Sequence, residues 1–212
     1  NIKNAKLFSF VESPEKRIDL AGQMSKLQLG AQTVFDLPVE QSLKDIPAIF
    51  TQINNGLSET KDPAERAKAS MSELGTLFDR FTVVQRATAA DGKNLVSIFS
   101  ELSPSMAKLG LDSDQLMTLA AVSDVAIAES PEETATVLKI ILERIKQAGQ
   151  SDLEGVGIDT SKSPIDVFKQ IYAMGQDPAQ KASYEIAINA LGGQARANQA
   201  SKVVGAVGNN YE

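Results

Sequence analysis

Serine and lysine three residues apart are the side chains here with the best claim to chemistry. Such a pair can supply a nucleophile and the base that activates it without any histidine. The spacing occurs at Ser13/Lys16, Ser58/Lys61 and Ser105/Lys108. Three copies in unrelated contexts read as chance, and Ser13 has a simpler task, because it stands where a helix needs an N-cap. Asp112 and Asp114 offer two carboxylates to a hard cation, yet the stretch lacks the glycine and closing glutamate of a calcium loop. With Gln115 three positions on, Asp112 fits a capping box instead. Glu132 and Glu133 stand where acids favour the first turn of a helix. Gly155-Val156-Gly157 and Leu191-Gly192-Gly193 match neither a phosphate loop nor a dinucleotide fingerprint. No catalytic, cofactor-binding or metal-binding residue is assigned. An enzyme reading would require a concave pocket that gathers Asp112, Asp159 or Asp166.

Composition narrows the classes further. The 212 residues are 42% hydrophobic and 23% charged, the balance of an ordinary globular chain. There is no histidine and no cysteine, which removes the commonest general base, disulfides and zinc–sulfur sites. A formal net charge of −6 and a pI near 4.9 argue against direct nucleic-acid binding. The most apolar run, Leu116 to Ala128, is interrupted by Thr118, Ser123 and Asp124. It falls short of the ~20 apolar residues a membrane span needs. Only 5% of residues are aromatic and none is Trp, so the core is expected to be built from Leu, Ile, Val, Met and Ala. Met71, Met106, Met117 and Met174 stand at apolar phases and read as core filler.

The elements that must position these residues are helices. Ser13-Pro14-Glu15, Asp62-Pro63-Ala64-Glu65, Ser130-Pro131-Glu132-Glu133, Ser163-Pro164-Ile165-Asp166 and Asp177-Pro178-Ala179-Gln180 repeat one device. A capping side chain is followed by proline at the first helical position and by acids or amides in the first turn. Five of the eight prolines are placed this way. Gly30, Gly110, Gly149, Gly175 and Gly192 each follow a periodic segment and read as left-handed stops. The reading is helices near 14–29, 39–54, 63–87, 91–109, 113–128, 131–148, 164–174, 178–191 and 194–206. Pro47 and Pro104 are expected to kink or split theirs. Residues 1–11 have no clear period, Gln150 to Lys162 reads as a loop, and Asn54 to Lys61 reads as a polar, flexible linker.

The expected fold is all-α, an irregular multi-helix bundle or short helical stack. Residues 1–60 form an N-terminal helical segment and 61–212 the main bundle. Asp91 to Gly149 organises it. Leu95, Ile98, Phe99, Leu102, Met106 and Leu109 make one apolar stripe. Leu116, Leu119, Ala120 and Val125 make a second, and Ala135, Leu138, Ile141, Leu142 and Ile145 a third. A compact globule of this length has a radius of gyration of roughly 17 Å. A start at Asn1 without Met suggests a piece of a longer chain.

This stretch resembles the N-terminal region of phage tail tape measure proteins. The resemblance rests first on the helix Leu95 to Ser103, then Pro104 and the turn through Met106-Ala107-Lys108-Leu109-Gly110-Leu111. Next comes Ser113 to Ala128, a short turn, and Glu133-Thr134-Ala135-Thr136-Val137-Leu138-Lys139. Gly157-Ile158-Asp159 leading to Pro164–Ile171 follows, and Ala190 to Asn198 closes the pattern with a glycine turn and an alanine-bearing helix. It covers Glu65 to Gly205 in order. Glu129-Ser130-Pro131 lacks the family's glycine, and residues 1–60 match only as generic helices. The resemblance implies a non-catalytic structural role in tail assembly, tail length determination and genome ejection. Implied partners are tail tube, tail-tip or baseplate proteins and tail assembly chaperones, with self-association possible. The implied location is the virion, in the tail lumen, and the host cytoplasm during assembly. The rival reading is a helical adaptor or scaffold that binds a partner protein.

Overall fold

Every regular element in the computed structural model, which describes residues 2–57, 62–147 and 149–210, is helical. In chain order these are α1 (Ile2–Leu7), α2 (Pro14–Phe35), α3 (Val39–Gly56), α4 (Pro63–Ala87) and α5 (Gly92–Leu102). A 3₁₀ turn (Ser103–Ser105) leads to α6 (Met106–Leu109), then α7 (Ser113–Ile127), α8 (Pro131–Lys146), α9 (Gln150–Gly155) and α10 (Pro164–Gln176). A second 3₁₀ turn (Pro178–Gln180) opens α11 (Lys181–Asn210). The protein is an all-α, multi-helix bundle.

The starts follow the capping chemistry. Ser13 accepts from the backbone N–H of Lys16, Asp62 from Ala64, Ser130 from Glu133 and Ser163 from Asp166, each with proline at the head of the helix. Asp177 accepts from Ala179 in the same way, but Pro178 begins a 3₁₀ turn rather than the α-helix. Asp112 and Gln115 form the expected capping box, with Gln115 N donating to Asp112 at 2.8 Å and Asp112 N to Gln115 Oε1 at 3.1 Å.

The stops follow it less closely. Gly110 alone of the five glycine stops takes the left-handed conformation, at φ 69°. Gly30 lies inside α2, which continues to Phe35 because Ala31 and Phe35 are buried beyond it. Asp36 then takes the left-handed C-cap, at φ 51°, which a short polar side chain tolerates. Gly175 is inside α10 against the Tyr184 ring, and Gly149 (φ −98°) precedes α9. Gly192 is helical, and Gly193, at φ 62°, makes the break. Pro47 stays inside α3, whereas Pro104 ends α5 and forces the 3₁₀ turn. The segments read as irregular at 1–11 and 150–162 carry α1 and α9. Residues 54–56 continue α3, and 58–61 lie outside the described residues.

α5 is the central element. It packs against α3, α4, α7 and α8, and Leu95 through Ser100 are buried without interruption, with Leu102 beyond them. The single-stripe expectation is therefore too narrow, because a helix with neighbours on every side buries its full circumference. The third stripe is buried as expected, from Ala135 to Ile145. In the second, Leu116, Leu119 and Ala120 are buried but Val125 is half exposed, since α7 presents that face to solvent. α11 covers α7, α8 and α10 from the C-terminal side.

The aliphatic-core expectation needs a correction as well. Phenylalanines stitch the N-terminal helices onto α5. Phe81 packs edge-on against Phe99 (5.3 Å between centroids) and against Phe35 (6.2 Å), and Phe8 meets Phe50 at 5.2 Å. Each such pair adds about 0.5–1.5 kcal/mol beyond its buried area. Met71, Met117 and Met174 are core residues, and Met106 is partly buried.

Candidate functional site

The side chains singled out for chemistry are spent on local structure. Ser13 Oγ is a cap, and Lys16 Nζ lies 3.5 Å from Asp62. Ser105 sits in the 3₁₀ turn with Lys108 exposed on α6, while Ser58 and Lys61 lie outside the described residues. Asp114 pairs with Arg80 at 2.8 Å. Glu133 faces its own cap, Ser130, and Glu132 occupies the first turn. Asp159, Asp166 and Asp112 are not brought together. Asp159 accepts from Ser161 N–H and Oγ, which holds its carboxyl below the usual range. Asp166 accepts from Ser163 Oγ at 2.7 Å. Among the described residues no three acidic side chains gather as a metal site would require.

Two carboxylates are instead buried, and each joins elements distant in sequence. Asp45 on α3 is 1% exposed against α5. Its Oδ2 accepts from Ser97 Oγ at 2.6 Å, and Gln41 Nε2 donates to that same Ser97 oxygen. Burial pushes the Asp45 carboxyl above the usual carboxylate range, while the Ser97 and Gln41 bonds and nearby Lys44 pull the other way. Just outside, Lys44 Nζ pairs with Glu101 at 2.7 Å, and that bond raises the lysine. Asp124 on α7 reaches the start of α5, accepting from Asp91 N–H at 2.9 Å and Asn94 Nδ2 at 2.8 Å. The carboxylate sits at the positive end of the α5 dipole. The sequence places both acids among apolar neighbours but does not give the partners that make them interpretable. Asp45 shares a helical face with Ser42, Ile46 and Ile49, and Asp124 breaks an apolar run.

The most ligand-like concavity is an apolar groove of about 480 Å³ between the C-terminal end of α3, α4 and the 3₁₀ turn after α5. Ile49, Ile53, Leu77, Phe99, Pro104 and Met106 supply its walls, and among the described residues Glu73 is the only charged side chain that lines it. A surface of that kind holds apolar groups and offers no acid–base pair. Among the described residues no helix is long and apolar enough to cross a membrane.

These observations define the class as a helical bundle whose polar interior groups fasten helices together. Compared with known proteins, the chain matches no family model, no curated protein and no solved structure.

Proposed function

We propose that this chain is a structural, non-catalytic module of a phage tail tape measure protein, acting in tail assembly, tail length determination and genome ejection. The observation that carries the reading is the ordered series of helix and turn residues from Leu95 to Asn198 that resembles that family. Support comes from where the polar residues go. Asp112, Ser130, Asp159 and Ser163 are each engaged in a cap or turn, as a chain built to fold requires. On this reading the partners are tail tube, tail-tip or baseplate proteins and assembly chaperones. The location is the tail lumen, after passage through the host cytoplasm. Fully helical, 212 residues would span roughly 320 Å at 1.5 Å per residue, so the bundle is far shorter than its own contour. Such a module nucleates assembly folded and is remodelled when it occupies a narrow tube. The test is to purify particles from the strain that encodes the chain and search them for peptides of residues 62–210. Tail-associated peptides, lost together with normal tails when the segment is deleted, are the expected result. Tails of normal length formed without the segment would refute the reading.

The apolar groove favours a second reading, a helical adaptor that seats a partner's apolar segment. Ile53→Asp would place a charge in the groove. An adaptor would lose its partner while keeping its helical content, whereas tail assembly would be unaffected.

A further inference from the structure

α11 runs as one nearly unbroken helical stretch but is folded as two limbs, divided at the glycine pair Gly192-Gly193. Residues 181–210 are helical except at Gly193 (φ 62°, ψ 179°) and Arg196 (φ −126°, ψ 15°). The Tyr184 and Ser201 hydroxyls nevertheless approach to 2.9 Å. In a straight helix those positions would be about 25 Å apart. The chain therefore doubles back at Gly193 into an antiparallel hairpin with limbs 181–192 and 197–210. Ala187, Ile188 and Leu191 are buried on the first limb, and Ala200, Val203, Val204 and Val207 on the second.

Apart from Gly192 and Gly193, little in the corner opposes a straight helix. It holds no proline, and Gln194, Ala195, Arg196 and Ala197 are good helix formers. The bend depends on Gly193, because φ 62° with an extended ψ is open essentially to glycine alone. The corner is also held from outside. Arg144 Nε on α8 donates to the Ala190 carbonyl at 2.6 Å, in the last turn before the break. Gly149 presses on the same oxygen, where an added Cβ would come within 2.6 Å.

We propose that α11 is an exchange hinge. It straightens at Gly193, and limb 197–210 packs into a second copy of this chain, remaking between copies the contacts it makes within one. Short hinges whose residues also suit the extended form are the sites of such exchange, since the open dimer keeps the buried surface of the closed monomer. In the natural sequence the mid-helix glycine penalty and the Arg144 contact favour the hairpin, so dimer accumulates only at high concentration. This inference does not depend on the tail reading.

The test uses the full chain and light scattering across a concentration series. Gly193→Ala removes the residue that tolerates the bend and relieves the helix penalty in both copies. It should raise the dimerisation constant at least about tenfold. Gln194→Pro fits after the extended Gly193 but breaks a continuous helix, and should stay monomeric. A Gly193→Ala chain that folds and remains monomeric overturns the proposal. Should that variant fail to fold, Arg144→Ala decides, because it leaves both limbs intact and only loosens the corner. An unchanged monomer there also overturns it. The natural chain has no cysteine, so Tyr184→Cys with Ser201→Cys gives the only thiol pair. A short bis-maleimide should link the dimer between chains, and a dimer linked only within chains would overturn exchange.

Discussion

The Asp45 carboxylate on α3 accepts the Ser97 hydroxyl of α5 at 2.6 Å, in a place where only 1% of the aspartate is exposed. Desolvation dominates there and raises its pKa. A raised carboxyl means that the folded state binds the proton more tightly than the unfolded chain does. The buried charge thus costs stability above the folded pKa, and the cost is relieved as pH falls from that value towards 3.8. Lys44 and Glu101 are the charged groups facing it, and as an exposed pair they screen it weakly. Asp45→Asn, which keeps an acceptor for Ser97, should raise the thermal midpoint at pH 7, and the difference should shrink towards pH 4. Ser97→Ala should act the other way at pH 7, by about 1.5–3 kcal/mol in a denaturant titration, because it strips a hydrogen bond from a charge.

The Asp124 bridge makes a second, separable demand. Its carboxylate ties the first turn of α5 to α7 through Asp91 N–H and Asn94 Nδ2. Asp124→Ala leaves both donors without that acceptor and removes a negative charge from a helix N-terminus. The expected cost is about 1–3 kcal/mol. Asp124→Asn, which retains an acceptor oxygen, should cost less, and equal losses for the two would refute the bridging role.

How much of this was legible beforehand depends on whether the signal was local. The caps at Ser13, Asp62, Asp112, Ser130 and Ser163 are local hydrogen bonds between residues two or three apart, so sequence alone places these starts. Helix ends are decided by what lies beyond them. α2 runs past Gly30 because Phe35 has Phe78 and Phe81 to pack against, 43 and 46 residues further along the chain but only 5.8 and 6.2 Å away between ring centroids. The same limit hid Asp45 and Asp124, since a buried acid is interpretable only once its Ser97 or Asn94 partner is in place. It hid the hairpin too. Gly192 and Gly193 both signal a break, but the meeting of Tyr184 with Ser201 is a tertiary fact.

The capping device itself can be measured at α8, where Ser130 Oγ accepts the Glu133 N–H at 3.3 Å on an exposed surface. Ser130→Ala should lower stability by about 1 kcal/mol. Ser130→Asp should restore it, because either side chain presents an oxygen to the same orphan amide. A restored midpoint from denaturant unfolding separates a cap from a residue tolerated for its size.

Two glycines on the second limb of α11 should respond oppositely to one methyl group. Nothing lies within 4 Å of a Cβ built at Gly205, so Gly205→Ala should gain about 0.5–1 kcal/mol from helix propensity alone. At Gly208 the same Cβ would come within 2.1 Å of the Tyr172 ring, whose hydroxyl donates to Asn209 Oδ1 at 2.6 Å. The ring is held at both ends, so Gly208→Ala must push α10 away or break that bond. Overpacking of this kind costs ~1–3 kcal/mol, more than propensity returns. A net loss at 208 beside a gain at 205, read from paired thermal melts, would place the α10–α11 contact at Tyr172. Equal gains at both positions would show that α10 yields freely there.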